Sequence, residues 1–375
     1  MSPATVFSAL DARFMARALE LAERGLLSTP PNPRVGCVIV RGEQIVGEGW
    51  HRVTGGPHAE IEALRAAGDA ARGATVYVTL EPCCHHGRTP PCADALIAAG
   101  VARVIAAMED PNPRVAGNGL HRLREAGIDT ACGLLASQAE ALNPGFCRRM
   151  REGRPFVVSK LAMSLDGRTA MASGESRWIT EAAARRDSHR LRARSSALVT
   201  GIGTVLADDP ELTVRLDGGS EGLRQPARVV LDSQLRMPAT SRMLRQPGRT
   251  IIVTLPGNEG NRADALRAAG AEIAFLPADD NRQIDLGALL PALGSLEFNE
   301  VMVEAGPVLN GALLRAGLVD EWVVYMAPVV LGDRGRGLFQ LPGLERMADR
   351  FEFELLETRQ VGEDLRLRFG KRQPS

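Results

Sequence analysis

The sequence has no excess of charge and no long apolar run, and each absence argues against a class of protein. Lys plus Arg equals Asp plus Glu, at 45 each, so the chain lacks the basic surface typical of nucleic-acid or membrane binding. No apolar stretch approaches the roughly 20 residues that cross a bilayer. Residues 1–10 lack the basic and apolar regions of a signal peptide. We therefore expect a cytoplasmic protein that binds neither nucleic acid nor a membrane.

Cysteine is also scarce, with 6 residues in a chain of 375. So few thiols do not form a disulfide framework, and reduced thiols suit both the cytoplasm and a metal site. Cys37, Cys132 and Cys147 stand outside any motif and are predicted to be buried and inert. The chain length favours two domains, because one hydrophobic core rarely serves so many residues.

What is present is a set of metal-ligating side chains in the first half. His58 and Glu60 are followed by Cys83 and Cys92, each thiol directly after a proline. A catalytic zinc ion takes three protein ligands and leaves its fourth position to water, and an adjacent carboxylate is needed to move the water proton. One imidazole, two thiolates and a carboxylate in this order are typical of zinc deaminases. The sequence thus predicts zinc on His58, Cys83 and Cys92, with Glu60 as proton shuttle.

The spacing of His58 and Glu60 constrains their local structure. Side chains two residues apart in a helix point about 200° away from each other, so both can face one site only at a helix start. The segment 55–57, Gly-Gly-Pro, places His58 at that boundary. Cys92 follows two prolines and opens another apolar helical run, so a helix N-terminus is predicted to favour its thiolate form.

A closed structural zinc site is the alternative, because Cys84, His85 and His86 lie beside Cys83. The segment between Cys83 and Cys92 holds eight residues, whereas the deaminase pattern has Cys-x-x-Cys. Its composition suggests a substrate-facing loop in which polar side chains contact the substrate, although loop histidines are often merely solvated. The candidates for this contact are His85, His86, Arg88 and Thr89. Cys84 is predicted to be buried and not a ligand.

Helical and extended patterns alternate along both halves, which predicts two layered α/β domains. The segment 146–155 is basic and poor in apolar residues, so we place a boundary near residue 150 and predict domains at 1–150 and 151–375. In the first half the predicted strands are 35–40, 45–46, 75–80 and 104–108, with helices over 14–22, after 58, after 91 and over 120–126. In the second half they are 156–163, 197–200, 228–231, 251–254, 272–275, 301–304 and 322–327, with helices between them.

Two junctions in the second half run from a strand through glycine into a helix, at residues 200–204 and 304–311. Glycine lets a phosphate approach the backbone, and the free amides of a helix start supply donors. Many ordinary strand-to-helix turns also need glycine, and neither junction is the Gly-x-Gly-x-x-Gly fingerprint. A dinucleotide bound here would therefore use a fold other than the common one for NAD.

Longer motifs carry a resemblance that spans both halves. They lie at residues 32–36, 58–60, 81–92, 160–167, 178–180, 204–210 and 304–311. In these motifs the whole chain resembles the bifunctional deaminase-reductase family of riboflavin biosynthesis, whose pattern includes the long loop after Cys83. The resemblance implies a cytidine-deaminase-like α/β/α layer domain followed by a dihydrofolate-reductase-like α/β domain. It also implies a homo-oligomer, a dimer through the C-terminal domain.

The resemblance implies two successive reactions on one small-molecule substrate, a pyrimidine ribosyl phosphate. The first domain would use Zn²⁺ to remove the 2-amino group of a diaminopyrimidinone, with Glu60 moving protons and Asn32 holding the pyrimidine. The second would transfer hydride from NADPH to reduce ribosylamino to ribitylamino, with Lys160 and Glu304 as catalytic candidates. By the resemblance, the cofactor-binding positions are Ala162, Trp178, Thr204, Asp208, Ser233, Gly306, Pro307, Val308, Leu309, Asn310, Gly311 and Ala312. The substrate-binding positions are Asn32, Ser176, Arg192, Leu212, Arg215 and Glu304.

Without the resemblance, several of these residues have simpler interpretations. Asn32 is then a turn residue between prolines, Trp178 a core residue and Lys160 a surface residue. Arg192 and the other arginines of residues 185–194 form a solvated helix face. The second half is then a pterin-type or unrelated reductase, or a nucleotide-sensing or dimerising module without catalysis.

Overall fold

The computed structural model describes residues 7–84, 91–113, 115–217 and 223–372. The chain separates into two compact units, residues 1–153 and 154–375. Residue 150, where the sequence placed the boundary, lies inside a helix that closes the first unit. Among the described residues, no helix combines the length and the apolar character that crossing a membrane requires.

The first unit is a mixed sheet with helices packed on it. Its described strands are β1 Gly36–Arg41, β2 Gln44–Trp50, β3 Thr75–Val78, β4 Arg103–Ala106 and β5 Asp129–Cys132. Its described helices are α1 Ala9–Glu23, α2 Ala59–Ala67, α3 Cys92–Ala99, α4 Asn118–Glu125, α5 Ala136–Leu142 and α6 Pro144–Glu152. The strand order is β2-β1-β3-β4-β5, antiparallel as far as β3 and parallel beyond it.

Glycine sets the distance between this sheet and helix α2. A Cβ atom on Gly49 would lie 2.4 Å from the carbonyl oxygen of Ala59, and one on Gly47 would lie 2.3 Å from that of Ala63. No side chain fits in that space, so β2 and α2 make backbone contact only because both positions are glycine. The start of α2, which carries His58 and Glu60, is thereby held against the sheet.

The second unit is built on a largely parallel sheet. Its described strands are β6 Phe156–Ser164, β7 Arg168–Ala170, β8 Ala197–Gly201, β9 Ala227–Leu231, β10 Thr250–Thr254, β11 Ala271–Phe275, β12 Glu300–Val303, β13 Glu321–Ala327, β14 Arg336–Gly337, β15 Phe353–Val361 and β16 Asp364–Lys371. Its described helices are α7 Ala182–Arg194, α8 Ile202–Asp208, α9 Asn261–Ala268, α10 Leu286–Ser295 and α11 Pro307–Arg315. The order is β11-β10-β9-β8-β12-β6-β13-β16-β15, parallel from β11 to β13.

The central parallel strands β8, β9, β10 and β12 are almost entirely buried, as expected where both faces of a parallel sheet are covered. The antiparallel hairpin β15–β16 extends the sheet beyond β13. Buried Asp187 on α7 accepts hydrogen bonds from Tyr325 on β13, from Arg366 on β16 and from Arg359 on β15, at 2.7, 3.0 and 2.9 Å. This shared carboxylate holds α7, which also carries Arg192, against the sheet.

Most of the predicted elements are present, and most of their ends agree within three residues. Helix α1 begins five residues before the predicted start, at 9 instead of 14, and β2 ends four residues beyond the predicted end, at 50 instead of 46. The described strands and α-helices that the sequence did not predict are β5, α5, α6, the short strands β7 and β14, and the hairpin β15–β16. The basic segment 146–155 is largely helix α6, which buries Cys147 and Gly145. Strand β15 is largely exposed, and β16 alternates charged and apolar residues and is mostly half-buried, so the apolar run that marks a buried strand is missing from both.

Candidate active sites

Three potential metal ligands converge in the first unit. The Nδ1 atom of His58 lies 3.3 Å from the Cys92 sulfur and 3.6 Å from the Cys83 sulfur. All three ligand atoms lie within 4.8 Å of one another. His58 is the N-cap of α2, Cys92 is the first residue of α3, and Cys83 follows the segment that leaves β3. Two helix starts and one strand exit therefore meet at one point.

The donor set fits zinc. Zinc–sulfur bonds of about 2.3 Å and zinc–nitrogen bonds of about 2.0–2.1 Å at the tetrahedral angle place nitrogen and sulfur roughly 3.5 Å apart. The observed separations of 3.3 and 3.6 Å agree with that value. The backbone N–H of Cys92 also donates to the Cys83 sulfur over 3.3 Å, which favours a thiolate there.

The two thiols differ in pKa. The hydrogen bond from Cys92, followed by that from His58, lowers the pKa of Cys83 to about 4. The hydrogen bond to Cys83, together with burial and the charge of Glu60, raises the pKa of Cys92 well above its usual range. Cys92 is the first residue of α3, as expected, and the effect of that helix N-terminus on its thiolate stays a prediction.

The neighbours of Cys83 do not complete a closed site among the residues that the structure describes. The cluster found there consists of His58, Cys83 and Cys92 and does not include Cys84. Cys84 is half-buried rather than buried, and burial raises its pKa. The proposed substrate loop with His85, His86, Arg88 and Thr89 lies outside the described residues.

The other cysteines also fit the predicted inert role only in part. Cys37 and Cys147 are buried, as expected, but Cys132 is half-buried. Burial nevertheless raises the pKa of Cys132 to about 11, which disfavours its reactive thiolate.

Glu60 lies in the first turn of α2 and is buried, with 4% of its surface exposed. Burial, followed by the charge of Cys83, raises its pKa to about 7. A carboxyl group whose pKa is near neutrality can both accept and return a proton. The position of Glu60 next to the cysteine pair is the one that the sequence predicted for the proton shuttle.

Glu81 organises the segment that delivers Cys83, a role that the sequence did not indicate. Its carboxylate is buried and accepts four backbone N–H groups at 2.8–3.1 Å. The donors are Asp110, Gly117, Gly119 and Leu120. These bonds tie the loop before α4 to the exit of β3.

In the second unit, predicted site residues gather at the carboxyl ends of parallel strands, where open α/β sheets place their ligands. Glu304 follows β12, Thr204 lies in the helix after β8, and Ser233 follows β9. Lys160 and Ala162 lie on β6 beside these strands. The segment 306–312 begins α11 directly after Glu304.

Glu304 and Arg192 form a largely buried ion pair. The guanidinium meets both carboxylate oxygens, at 2.5 and 2.9 Å, and a third N–H donates to the carbonyl oxygen of Thr213. The side chains are only 15% and 14% exposed. Arg192 therefore does not belong to a solvated helix face, and much of its charge is balanced by Glu304.

The pKa values in this cluster follow from burial and from neighbouring cations. Burial alone would raise the pKa of Glu304, but Arg192 and then Lys160 outweigh it and hold the pKa at about 2. Burial lowers the pKa of Lys160, and Glu304 opposes that shift. Burial and the charges of Arg192 and Arg215 lower the pKa of His189 to about 4.

Other predicted residues are differently placed. Trp178 is 70% exposed, with the Arg185 guanidinium 4.6 Å from its ring centroid, so its interpretation as a core residue is wrong. Asn310 is fully buried, where it accepts from Ser159 and donates to the carbonyl oxygen of Ala305. Both ends of its side-chain amide are thus hydrogen-bonded within the second unit.

The remaining predicted positions lie around the same edge of the sheet or in loops. Leu212 is buried with a φ of 49°, a conformation that is strained for a leucine. The backbone N–H of Arg215 donates to Nδ1 of His189 at 3.1 Å, a contact that the sequence did not indicate. Asp208 accepts from Arg177 through its backbone oxygen, and Ser233 donates to Gln283. Ser176 is half-buried in the loop before α7.

Replacing Glu304 with glutamine should remove a pH-dependent part of the stability of the second unit. The pKa of Glu304 is lowered, so its stabilisation is fully present above about pH 4.5, its unfolded value, and is lost as the pH falls toward about 2. We expect Glu304→Gln to lower the free energy of unfolding by about 3 kcal/mol near neutral pH. Urea unfolding at several pH values should show this difference shrinking below about pH 4.5.

The matched control is Glu272→Gln. Glu272 meets Arg249 in the same two-bond geometry, at 2.8 Å for both bonds, but the side chains are 50% and 47% exposed. An exposed pair contributes less than about 1 kcal/mol. Equal losses for the two variants, or a Glu304→Gln difference that does not change with pH, would contradict the assignment.

Family models match both units. The model described as "Cytidine and deoxycytidylate deaminase zinc-binding region" matches residues 8–108. The model described as "RibD C-terminal domain" matches residues 155–367, more than half of the chain. The two matches agree with the α/β fold classes expected for the two halves.

Whole-length relatives carry the same arrangement. The chain is 55% identical to riboflavin biosynthesis protein RibD of Escherichia coli, over 95% of this chain and 98% of the relative. It is 50% identical to that of Haemophilus influenzae, over 97% and 98%. The solved structure of RibD from Acinetobacter baumannii superposes with a TM-score of 0.90 at 45% identity, covering 97% and 99% of the two chains. The chain therefore belongs to the RibD family, bifunctional riboflavin biosynthesis enzymes that use zinc for a deaminase reaction and NADPH for a reductase reaction.

Proposed function

We propose that the two units act in succession on one pyrimidine ribosyl phosphate. A Thermotoga maritima relative, 34% identical over 96% of this chain, is described as a diaminohydroxyphosphoribosylaminopyrimidine deaminase and 5-amino-6-(5-phosphoribosylamino)uracil reductase. The first unit would hydrolyse the 2-amino group of 2,5-diamino-6-(5-phosphoribosylamino)pyrimidin-4(3H)-one, and the second would reduce the ribosylamino group of the product to ribitylamino. The observation that carries the proposal is the convergence of His58, Cys83 and Cys92 on one point beside buried Glu60.

In the first unit, His58, Cys83 and Cys92 would hold the zinc ion. Bound zinc supplies the Lewis acidity that makes water nucleophilic near neutral pH. Glu60 would take a proton from the water and pass it to the ring nitrogen. It would then carry the proton of the added hydroxyl group to the amino group, which leaves as ammonia as the carbonyl forms. Its raised pKa, about 7, supports this double use. Asn32 would hold the pyrimidine through its side-chain amide.

In the second unit, the Glu304 and Lys160 pair would contact the ribose, and NADPH would supply the hydride. The half-buried Lys160 ammonium, kept charged in part by Glu304, can polarise the sugar and give up a proton. Ser176, Arg192, Leu212 and Arg215 would surround the substrate, with Arg215 the more exposed of the two arginines. The cofactor would lie along Ala162, Trp178, Thr204, Asp208, Ser233 and the segment 306–312.

We assign the deaminase to about residues 1–150 and the reductase to about 151–375. The division of the chain into units at 1–153 and 154–375 supports this assignment. We also propose a cytoplasmic location, because two of the zinc ligands are thiols that an oxidising compartment would pair.

Replacing Glu60 with glutamine should abolish ammonia release while zinc stays bound. Glutamine keeps the shape of the side chain but cannot carry the proton, and general acid–base catalysis contributes about 10²–10⁴-fold to a rate. The measurement is ammonia release from the diaminopyrimidinone substrate, together with zinc content per chain. Glu62→Gln is the matched control, since Glu62 lies on the same helix but pairs with Arg52 and Arg65.

The ligand set is checked in the same assay. Cys83→Ser should lose zinc and activity together, whereas Cys84→Ser should keep zinc. A Glu60→Gln protein that loses zinc but still turns over, or a Cys84→Ser protein that loses zinc, would show that the assigned roles are wrong.

Purified protein supplied with the deaminated pyrimidine should oxidise NADPH, followed by loss of absorbance of the reduced cofactor. Lys160→Met should lower this rate by about 10²-fold or more while ammonia release persists, since Lys160 is placed as the proton donor. Lys371→Met is the control, because the chain's other lysine donates to the carbonyl oxygen of Gly317. An active deaminase without any NADPH oxidation would instead support the non-catalytic interpretation of the second unit.

We further propose that two copies associate through the second unit. Strand β15 lies at one edge of the described sheet, and an edge strand offers unpaired backbone groups to another copy. Exposed apolar side chains lie on this strand, where Leu355 is 57% and Leu356 48% exposed, and in the segment before it, where Met347 is 76% exposed. Sedimentation velocity should show a dimer that Leu355→Glu shifts toward monomer, whereas Leu296→Glu, at an exposed leucine that follows α10 and is not on β15, should not. A wild-type monomer at micromolar concentration would refute this association.

A further inference from the structure

We propose that His51 is a positioning residue of the deaminase, which fixes the orientation of the Asn32 side-chain amide so that the site recognises a lactam edge. The proposal rests on the proposed function, since Asn32 must contact the pyrimidine. It adds a residue that the sequence did not single out, and it specifies which end of the Asn32 side-chain amide faces His51 and which end faces the substrate.

His51 is buried, with 3% of its surface exposed, and both ring nitrogens are engaged. Its Nδ1 lies 3.0 Å from the carbonyl oxygen of Pro57, and its Nε2 lies 3.0 Å from Nδ2 of Asn32. The ring also packs edge-on against the ring of His58, with centroids 5.5 Å apart. His51 therefore connects the metal-ligand segment to Asn32.

The chemistry of the partners fixes the direction of each hydrogen bond. A carbonyl oxygen only accepts, so Nδ1 of His51 must carry the hydrogen that points to Pro57. The Asn32 amide nitrogen that faces Nε2 can only donate, so Nε2 carries no hydrogen and accepts. Only the NH₂ end of the Asn32 amide can donate to it, so the amide oxygen must point away from His51.

The oriented amide offers a substrate one acceptor and one donor in a fixed order. Among the described residues, the Oδ1 atom of Asn32 has no hydrogen-bond partner, and the amide retains a second N–H. An oxygen acceptor beside an N–H donor is complementary to a lactam, whose ring N–H donates and whose carbonyl accepts. A ring that presents these groups in the opposite order would leave both ends of a pinned amide unpaired, which disfavours its binding.

The backbone of Asn32 is held independently of His51. Its N–H donates to the carbonyl oxygen of Thr29 at 2.8 Å, and prolines precede and follow it in the sequence. Because proline restricts the backbone on either side, the side-chain torsion is the freedom that remains. Loss of His51 should therefore release the amide without displacing the chain.

Two substitutions separate positioning from structural support. In His51→Asn, the shorter amide can still donate to the Pro57 carbonyl but cannot reach Asn32. In His51→Gln, the longer amide can reach Asn32 and accept from it. We expect kcat/KM for the diaminopyrimidinone to fall about tenfold in His51→Asn, mainly through KM, and less in His51→Gln. Zinc content and NADPH oxidation by the second unit should not change.

A double-mutant cycle tests whether His51 acts through Asn32. If it does, the protein with both His51→Asn and Asn32→Ala should lose no more deaminase activity than Asn32→Ala alone. Independently of activity, the ¹⁵N shifts of the His51 ring in the zinc-loaded protein should show the hydrogen on Nδ1.

Multiplicative losses in the double variant, a hydrogen on Nε2, loss of zinc from His51→Asn, or a smaller effect of His51→Asn than of His51→Gln would each overturn the positioning role. These results leave the wild-type deaminase intact and so leave the proposed function standing. Wild-type protein that binds zinc but releases no ammonia would overturn the proposed function, and the positioning role with it.

Discussion

The meeting of three ligand atoms within 4.8 Å is the constraint on which the first unit depends. The ligands come from two helix starts and a strand exit, so none can be placed by local structure alone. Backbone contact at Gly47 and Gly49 holds the start of α2 against the sheet, and the Glu81 carboxylate ties the strand exit to the loop before α4. Small changes in any of these contacts would separate the ligands, because zinc tolerates little variation in bond length.

The two units show opposite ways of burying a carboxyl group. Glu60 has an adjacent thiol as its strongest charged neighbour, and its pKa rises to about 7. Glu304 is similarly buried but meets Arg192 through two hydrogen bonds, and its pKa falls to about 2. Burial favours the neutral acid in both cases, and the charge of the nearest partner decides the outcome. A carboxyl group whose pKa is near 7 can transfer protons. One that stays charged at neutral pH can instead hold cations and polar groups of a substrate in place.

The sequence predicted regular elements well where the apolar pattern was strong. Strands β1, β10 and β13 were found because continuous apolar runs mark strands that are buried on both faces. It missed the hairpin β15–β16, whose alternating charges are paired with residues far along the chain, such as Asp187. It also missed α6, because this helix is rich in arginine and buries only two small residues, Gly145 and Cys147. Trp178 is exposed, and its ring lies against the Arg185 guanidinium rather than in the core.

The sequence by itself determined the chemistry of this protein: the zinc donor set, its companion carboxylate and the family motifs of both halves, because these depend on residue type and short spacing. Only the tertiary structure decided which atoms meet and in what state. It paired Arg192 with Glu304, directed the backbone N–H of Cys92 to the Cys83 sulfur, and placed His51 between Pro57 and Asn32. The physical reason is that hydrogen-bond direction and pKa depend on burial and on distant neighbours, which fold together without any signal in the local sequence.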